Sequence, residues 1–122
     1  MAYRKYHNKR VEYQGKVFDS LKERRRYCEL LLLQKQGTIS DLRLQVPYEL
    51  IPAIYEDVEK QLKTKVKVVS RCVQRAVTYV ADFVYIQDGK TIVEDTKGFR
   101  TKEYELKKKM MRALLGITIK EI

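Results

Sequence analysis

The sequence predicts one α/β domain over residues 1–122, its elements ordered hairpin-α-β-β-β-α-β. Three observations predict it. Two stretches, from Asp19 or Ser20 to Gln36 and from Lys102 to Leu115, carry apolar residues at helical spacing between cap signals. Segments 39–51, 79–86, 91–97 and 117–122 alternate, or run apolar, as strands do. At 122 residues the chain can bury one core and not two.

Residues 1–10, MAYRKYHNKR, interleave cations with aromatics. A frayed terminus and a basic nucleic-acid-contacting arm explain them equally well. They hold no apolar h-region, so no signal peptide is expected. Residues 11–18 read as a small hairpin turning at Gln14-Gly15. The first helix follows, with Ser20-x-x-Glu23 at capping-box spacing and Gly37 as its stop. Leu21, Cys28, Leu31 and Leu32 supply its buried stripe, widened by Tyr27 and Leu30. Lys22, Arg24, Arg25 and Arg26 crowd the first turns, where cations oppose the helix dipole. Phosphate contact is the favoured reading of that crowding, and a solvated face is the alternative.

The strand at 39–51 places Leu42, Leu44, Val46, Tyr48 and Leu50 on one face, and Pro47 assigns it to an edge or a bulge. Residues 53–75 form a possible inserted basic segment. Tyr55 to Lys63 suits a helix or an extended loop, and Val66 to Val69 suits a strand. Lys60, Lys63, Lys65, Lys67, Arg71 and Arg75 make it the most basic long stretch. An elongated hairpin on the nucleic-acid side and a mobile solvated loop are equal alternatives.

Tyr79 to Gly98 is the stretch the rest serves. Two strands meet at a Gln87-Asp88-Gly89-Lys90 turn. Asp82 shares its strand face with Val80, Val84 and Ile86, where a lone charge is costly unless satisfied. Asp95 and Lys97 share a face of the next strand, and Glu94 points the other way unless a bulge swaps the two acids. Two carboxylates and an ammonium then converge at one end of the hairpin. The bland alternative is a water-facing Asp82 and a surface ion pair worth about 1 kcal/mol or less. The second helix, capped by Thr101 and stopped by Gly116, has an apolar side of Tyr104, Leu106, Met110, Met111, Leu114 and Leu115. Lys102, Lys107, Lys108, Lys109 and Arg112 form its basic side.

Asp82 followed by Asp95-Thr96-Lys97, with Glu23 on the preceding helix, resembles the PD-(D/E)XK nuclease superfamily, although Ala81 stands where the motif has proline. The pattern is also similar to small phage-encoded nucleases of the Holliday-junction-resolvase type. The resemblance implies a restriction-endonuclease-like mixed central sheet flanked by two main helices. It implies catalytic roles for Glu23, Asp82, Asp95 and Lys97. Mg²⁺ or Mn²⁺ would be held by Asp82, Asp95 and the Thr96 carbonyl, with Glu23 on a metal-bound water or a second ion. Lys97 would serve the nucleophilic water and the scissile phosphate. Glu23 as a helix cap alone is the competing explanation. The implied substrate is branched DNA, four-way junctions above all, and the place is the cytoplasm, the host's if phage-encoded. Symmetric cutting needs two sites, hence a homodimer, with Tyr13, Val17, Phe18 and Tyr48 as candidate contacts. A nicking or end-processing nuclease and a non-catalytic nucleic-acid-binding module are the alternatives.

Charge agrees with a nucleic-acid partner. Lys and Arg number 26 against 16 Asp and Glu, a net +10, with a pI near 9.6. The cations expected to meet phosphates are Arg24, Arg25, Lys65, Lys67, Arg71, Arg75, Arg100, Lys102, Lys107 and Lys108. A membrane partner lacks support, since the longest apolar run is Leu30 to Leu33 against the ~20 residues a span needs. Cys28 and Cys72 have no CxxC spacing and His7 is the only histidine, so free thiols are expected and a zinc site is not. No small-molecule cofactor is expected.

Overall fold

The computed structural model describes residues 11–13, 15–96 and 100–122. The basic arm at 1–10 and the candidate base Lys97 lie outside the described residues.

Val11–Tyr13 (β1) and Lys16–Phe18 (β2) pair antiparallel around Gly15, whose φ of +77° suits a residue without Cβ. The helix Leu21–Lys35 (α1) begins at Ser20, whose Oγ accepts from the Glu23 N–H at 3.1 Å. After it come Ser40–Ile51 (β3), Ile54–Gln61 (β4), Val66–Gln74 (β5), Val77–Gln87 (β6) and Lys90–Asp95 (β7). The helix Lys102–Leu115 (α2) and the short strand Lys120–Glu121 (β8) complete the order. α2 starts at the Thr101 cap and ends at Gly116 in the left-handed region.

The main sheet has the order β3-β6-β7-β8, antiparallel at its first two junctions and parallel at the last. The architecture is thus mixed α/β with two helices. Asp88 and Gly89, both at positive φ, make the two-residue turn between β6 and β7. β3 is an edge strand, which accommodates Pro47. The closing strand is shorter than its sequence pattern, covering only 120–121 of 117–122. Ile119 turns instead into the core.

Two cores sandwich the sheet. Under α1, Tyr27 and Leu30 pack with Phe18, Ile39, Phe83 and Tyr85. Under α2, Tyr104 and Met111 pack with Leu50, Tyr79, Ala81, Val84, Val93 and Ile119. Both helices bury narrower stripes than the sequence suggests. In α1 the stripe is Glu23, Tyr27 and Leu30, while Leu21 and Leu32 are exposed. In α2, Leu106, Leu114 and Leu115 are exposed. Phe18, expected at a dimer contact, is consumed by the core under α1.

The strand faces also depart from simple alternation. Leu42 and Leu44 belong to the core under α1, whereas Val46, Tyr48 and Leu50 belong to that under α2. β6 does the same: Ala81 faces α2, Phe83 faces α1, and Val84 faces α2 again. Val80 is exposed and does not share a buried face with Val84. Both strands change phase at one level. Leu44 pairs with Phe83 and Val46 with Ala81, which sets Gln45 across from Asp82 at the change. Gln45 has φ +51°, the left-handed region that a non-glycine residue enters at a cost.

Residues 53–75 resolve into the two-stranded ribbon β4–β5, and no helix forms there. The ribbon is inserted between β3 and β6, and its two strands pack chiefly on each other.

Candidate active site

Asp82 and Asp95 lie at the level where β3 and β6 change phase, and with Glu23 they do not form a group of three acids placed to hold a metal ion. Asp82 is on β6 and Asp95 ends β7. Asp82 and Asp95 each follow directly on the last pair of the β6–β7 register, Phe83↔Glu94. Both are buried, Asp82 at 9 % exposure and Asp95 at 0 %. Like charges on neighbouring strands in a low-dielectric setting repel, so the arrangement costs stability unless protons or a cation intervene.

Hydrogen bonds from neighbouring strands and loops hold both aspartates. Asp82 Oδ2 accepts from the Thr96 backbone N–H and from Thr96 Oγ1, both at 2.9 Å. Thr96 therefore clamps Asp82 through its N–H and hydroxyl. Asp95 Oδ2 accepts from the Tyr79 hydroxyl at 2.6 Å. Burial, that hydrogen bond and the charges of Asp95 and Asp82 all raise the Tyr79 phenol, so both carboxylates act on one hydroxyl. The Asp95 carbonyl accepts from the Ile122 N–H at 3.0 Å, which ties the end of β7 to the residue after β8. An open pocket of about 300 Å³ beside Tyr79 is bordered by Val80, Thr101, Tyr104 and Lys107.

Glu23 reaches this level from α1. It is 5 % exposed, and its Oε1 accepts from Gln45 Nε2 at 3.0 Å. The helix cap is made by Ser20 with the Glu23 N–H, which leaves the Glu23 carboxylate directed across to β3. Glu23, Gln45, Asp82 and Asp95 thus lie in sequence across α1, β3, β6 and β7. A pocket of about 270 Å³, lined by Lys16, Val17, Phe18, Glu23, Leu44 and Gln45, opens at the Glu23–Gln45 contact. Sequence reasoning missed Gln45 as a holder of Glu23. Nothing in its residue type marks a left-handed backbone.

Glu94 faces the other way. Arg26 Nε and Nη2 donate to its two oxygens at 2.8 and 2.7 Å, and the Tyr85 hydroxyl donates to Oε2. Arg26 also bonds Glu29 at 2.9 Å. Arg26 is therefore an internal counter-charge and not a phosphate contact, unlike its reading within the basic run. The hydrogen bond to Glu94 is the main cause that raises the Arg26 guanidinium. Burial, then the bond to Glu94, push the Tyr85 phenol up to about 12.

The expected DNA-facing cations divide. Arg100 Nε lies 2.7 Å from Glu121 Oε2, Lys108 pairs with Glu121 Oε1, and Lys107 lies 3.0 Å from Glu103. The Lys108 hydrogen bond is the leading cause that lowers the Glu121 carboxyl. Arg25, Lys65, Lys67, Arg71, Arg75 and Lys102 are exposed, and Arg24 is half-buried. Among the described residues no group of three or more His, Cys, Asp or Glu side chains is arranged to hold a metal ion. No helix among them is long and apolar enough to cross a membrane. Cys28 and Cys72 are unbridged.

Comparisons with curated proteins and with solved structures found no match. A family model covers residues 3–115, and the chain belongs to that family, described as protein of unknown function (DUF1064).

Proposed function

We propose that this protein is a metal-dependent endodeoxyribonuclease with a restriction-endonuclease-like fold, acting on branched DNA in phage recombination or processing. The observation that carries the reading is the burial of Asp82 and Asp95 on neighbouring strands, just past the last β6–β7 pair, at the phase change of the sheet. The element order, with a Glu-bearing helix before the sheet and a parallel closing strand after α2, supports it.

The donor set fits Mg²⁺ or Mn²⁺. Mg²⁺ takes one or two protein carboxylates and keeps several waters, so two aspartates suffice without a third close acid. Both bonds that anchor Asp82 among the described residues fall on Oδ2, which leaves Oδ1 for a cation. A bound metal would neutralise the paired charges and polarise the phosphoryl group. Thr96 and Tyr79 fix the orientations of the two aspartates. Glu23, held by Gln45, would orient water on the α1 side. Lys97, two residues past Asp95, enters from the sequence alone, as the group that positions the attacking water. The exposed cations would hold the phosphate backbone without reading sequence, and two copies of the chain would cut paired strands.

The test is incubation of purified protein with labelled duplex, flap, single-stranded and four-way-junction DNA in Mg²⁺, Mn²⁺ or EDTA. Paired nicks across the junction, absent in EDTA, are expected, with sedimentation at twice the 14.5 kDa chain mass. No cleavage of any substrate with either metal would overturn the nuclease reading. A monomer that cuts linear duplex as readily as junctions would overturn the resolvase part alone.

A further inference from the structure

The ribbon β4–β5 sorts its charges by face. Paired residues in an antiparallel ribbon share a face, and successive pairs alternate. Glu56↔Arg71, Val58↔Val69 and Lys60↔Lys67 therefore lie on one face. Asp57↔Ser70 and Glu59↔Val68 lie on the other. Every cation of this paired stretch is on the first face, where Glu56 opposes Arg71 and leaves Lys60 and Lys67 in excess, and the acids Asp57 and Glu59 are on the second.

Lys60 and Lys67 stand directly opposite one another, an arrangement that weakens a sheet. Neither takes part in an ion pair among the described residues. Lys63 and Lys65 add charge in the closing loop, where the Leu62 N–H donates to the Lys65 carbonyl at 2.8 Å. A two-stranded ribbon is marginal in water on its own, and opposed lysines make it worse. A polyanion against that face relieves the repulsion. A second copy of the chain would bring a further net +10 to a surface that is already positive.

We propose that the β4–β5 ribbon is a second DNA contact, laying its Lys60–Lys67–Arg71 face on the phosphates of a duplex arm. This rests on the reading of the protein as a DNA nuclease and deepens it, because it names the substrate as one with a duplex arm. The nine residues of β5 extend about 30 Å at roughly 3.3 Å each. That is close to the ~34 Å of one helical turn, and the width of a two-stranded ribbon suits the major groove. The ribbon leaves the sheet at Val77, five residues along β6 from Asp82. It therefore measures an arm of about one turn beyond the sheet's end.

The experiment compares wild type, K60Q/K67Q/R71Q and the opposite-face control D57N/E59Q. Fluorescence anisotropy with labelled 30-bp and 10-bp duplexes is measured in EDTA between 50 and 200 mM salt. Circular dichroism checks the fold, which the glutamines favour by removing like charges. On the long duplex, the slope of log K against log salt should flatten by about 2 to 3 in the triple variant, since each phosphate contact contributes about 0.9. On the short duplex the two proteins should agree, and the control should bind at least as well as wild type. An unchanged slope on the long duplex overturns the ribbon proposal while cleavage by wild type leaves the nuclease reading standing. A flattened slope with no cleavage in Mg²⁺ or Mn²⁺ keeps the ribbon contact and overturns the nuclease. Failure of wild type to bind either duplex overturns both. A change from dimer to monomer in the triple variant would make the ribbon a subunit contact and overturn the proposal.

Discussion

Arg26 and Glu94, 68 residues apart in the chain, meet through a two-pronged ion pair that joins α1 to the centre of the sheet. Glu94 is fully buried and Arg26 half-buried, with Glu29 as a second partner. Removing Glu94 takes away both of these bonds from a half-buried guanidinium that keeps only Glu29. Glu94→Gln should therefore destabilise the fold by roughly 1–3 kcal/mol in urea unfolding. Arg26→Met combined with Glu94→Leu should cost much less than Glu94→Gln alone. Equal losses would mean that packing, and not charge, holds α1 in place.

The neighbour of Glu94 gives the opposite pattern. Asp95→Asn keeps a group that accepts from the Tyr79 hydroxyl, so its melting temperature should stay close to wild type. Cleavage of four-way junctions should vanish in this variant and in Asp82→Asn, with DNA binding retained or slightly tighter. Lys97→Ala should behave likewise. Wild-type cutting by Asp95→Asn would remove the basis of the active-site assignment.

Gln45 carries two separable burdens, a left-handed backbone and a hydrogen bond to Glu23. Gln45→Gly relieves the first and loses the second, so stability should hold or rise by about 1 kcal/mol while the cleavage rate falls. Gln45→Ala keeps the strain and should lose both. Glu23→Gln should lose activity with thermal stability barely changed, since the Ser20 cap uses the Glu23 N–H. A parallel fall in stability and rate for Glu23→Gln would assign Glu23 to structure alone.

High pH should unfold the protein early. The Tyr85 phenol moves from 10.0 to about 12 on folding, so the unfolded chain loses that proton first. The stability it contributes is complete below pH 10 and is lost as pH rises towards 12. Tyr79 and Tyr104 are raised in the same direction and steepen the decline. Tyr85→Phe should show a shallower fall in unfolding free energy over pH 10–12. An unchanged slope would mean that Tyr85 does not govern that range.

Much of this was legible where a local signal and a global need agreed. Ser20, Thr101 and Gly116 delimit the helices because cap chemistry is local. Asp88-Gly89 makes the turn for the same reason. The apolar strand around Asp82 was legible, but its face was not, since Val80, read as a face-mate of Asp82, is exposed. In the buried stripe of α1, Tyr27 and Leu30 were legible, and the exposure of Leu21 and Leu32 was not. Nor was the inward pairing of Arg26, which looks like a surface residue until Glu94 arrives from a distant strand. The phase change was hidden too. Residues 42, 44, 46, 48 and 50 read as one apolar face, and only the backbone at Gln45 divides them between two cores. In β4 and β5 both faces meet water, so neither shows the one-sided apolar alternation by which a strand is recognised.

The position of the ribbon inside the β3–β6 pairing bears on how the chain reaches its native state. Ile51 and Val77 pair in the sheet although residues 52–76 separate them in sequence. If the loop at 62–65 closes first, zipping of β4 onto β5 brings Ile51 and Val77 together with almost no chain left to organise. Closing an unstructured loop of that length would cost about 2 kcal/mol more in entropy than closing a tight turn. The ribbon would then act as a folding primer for the two strands that carry Gln45 and Asp82. Opposed lysines at its tip would slow that first step at low ionic strength, and added salt would hasten it. Refolding that speeds up with salt in wild type, and does not in K60Q/K67Q, is the expected kinetic signature.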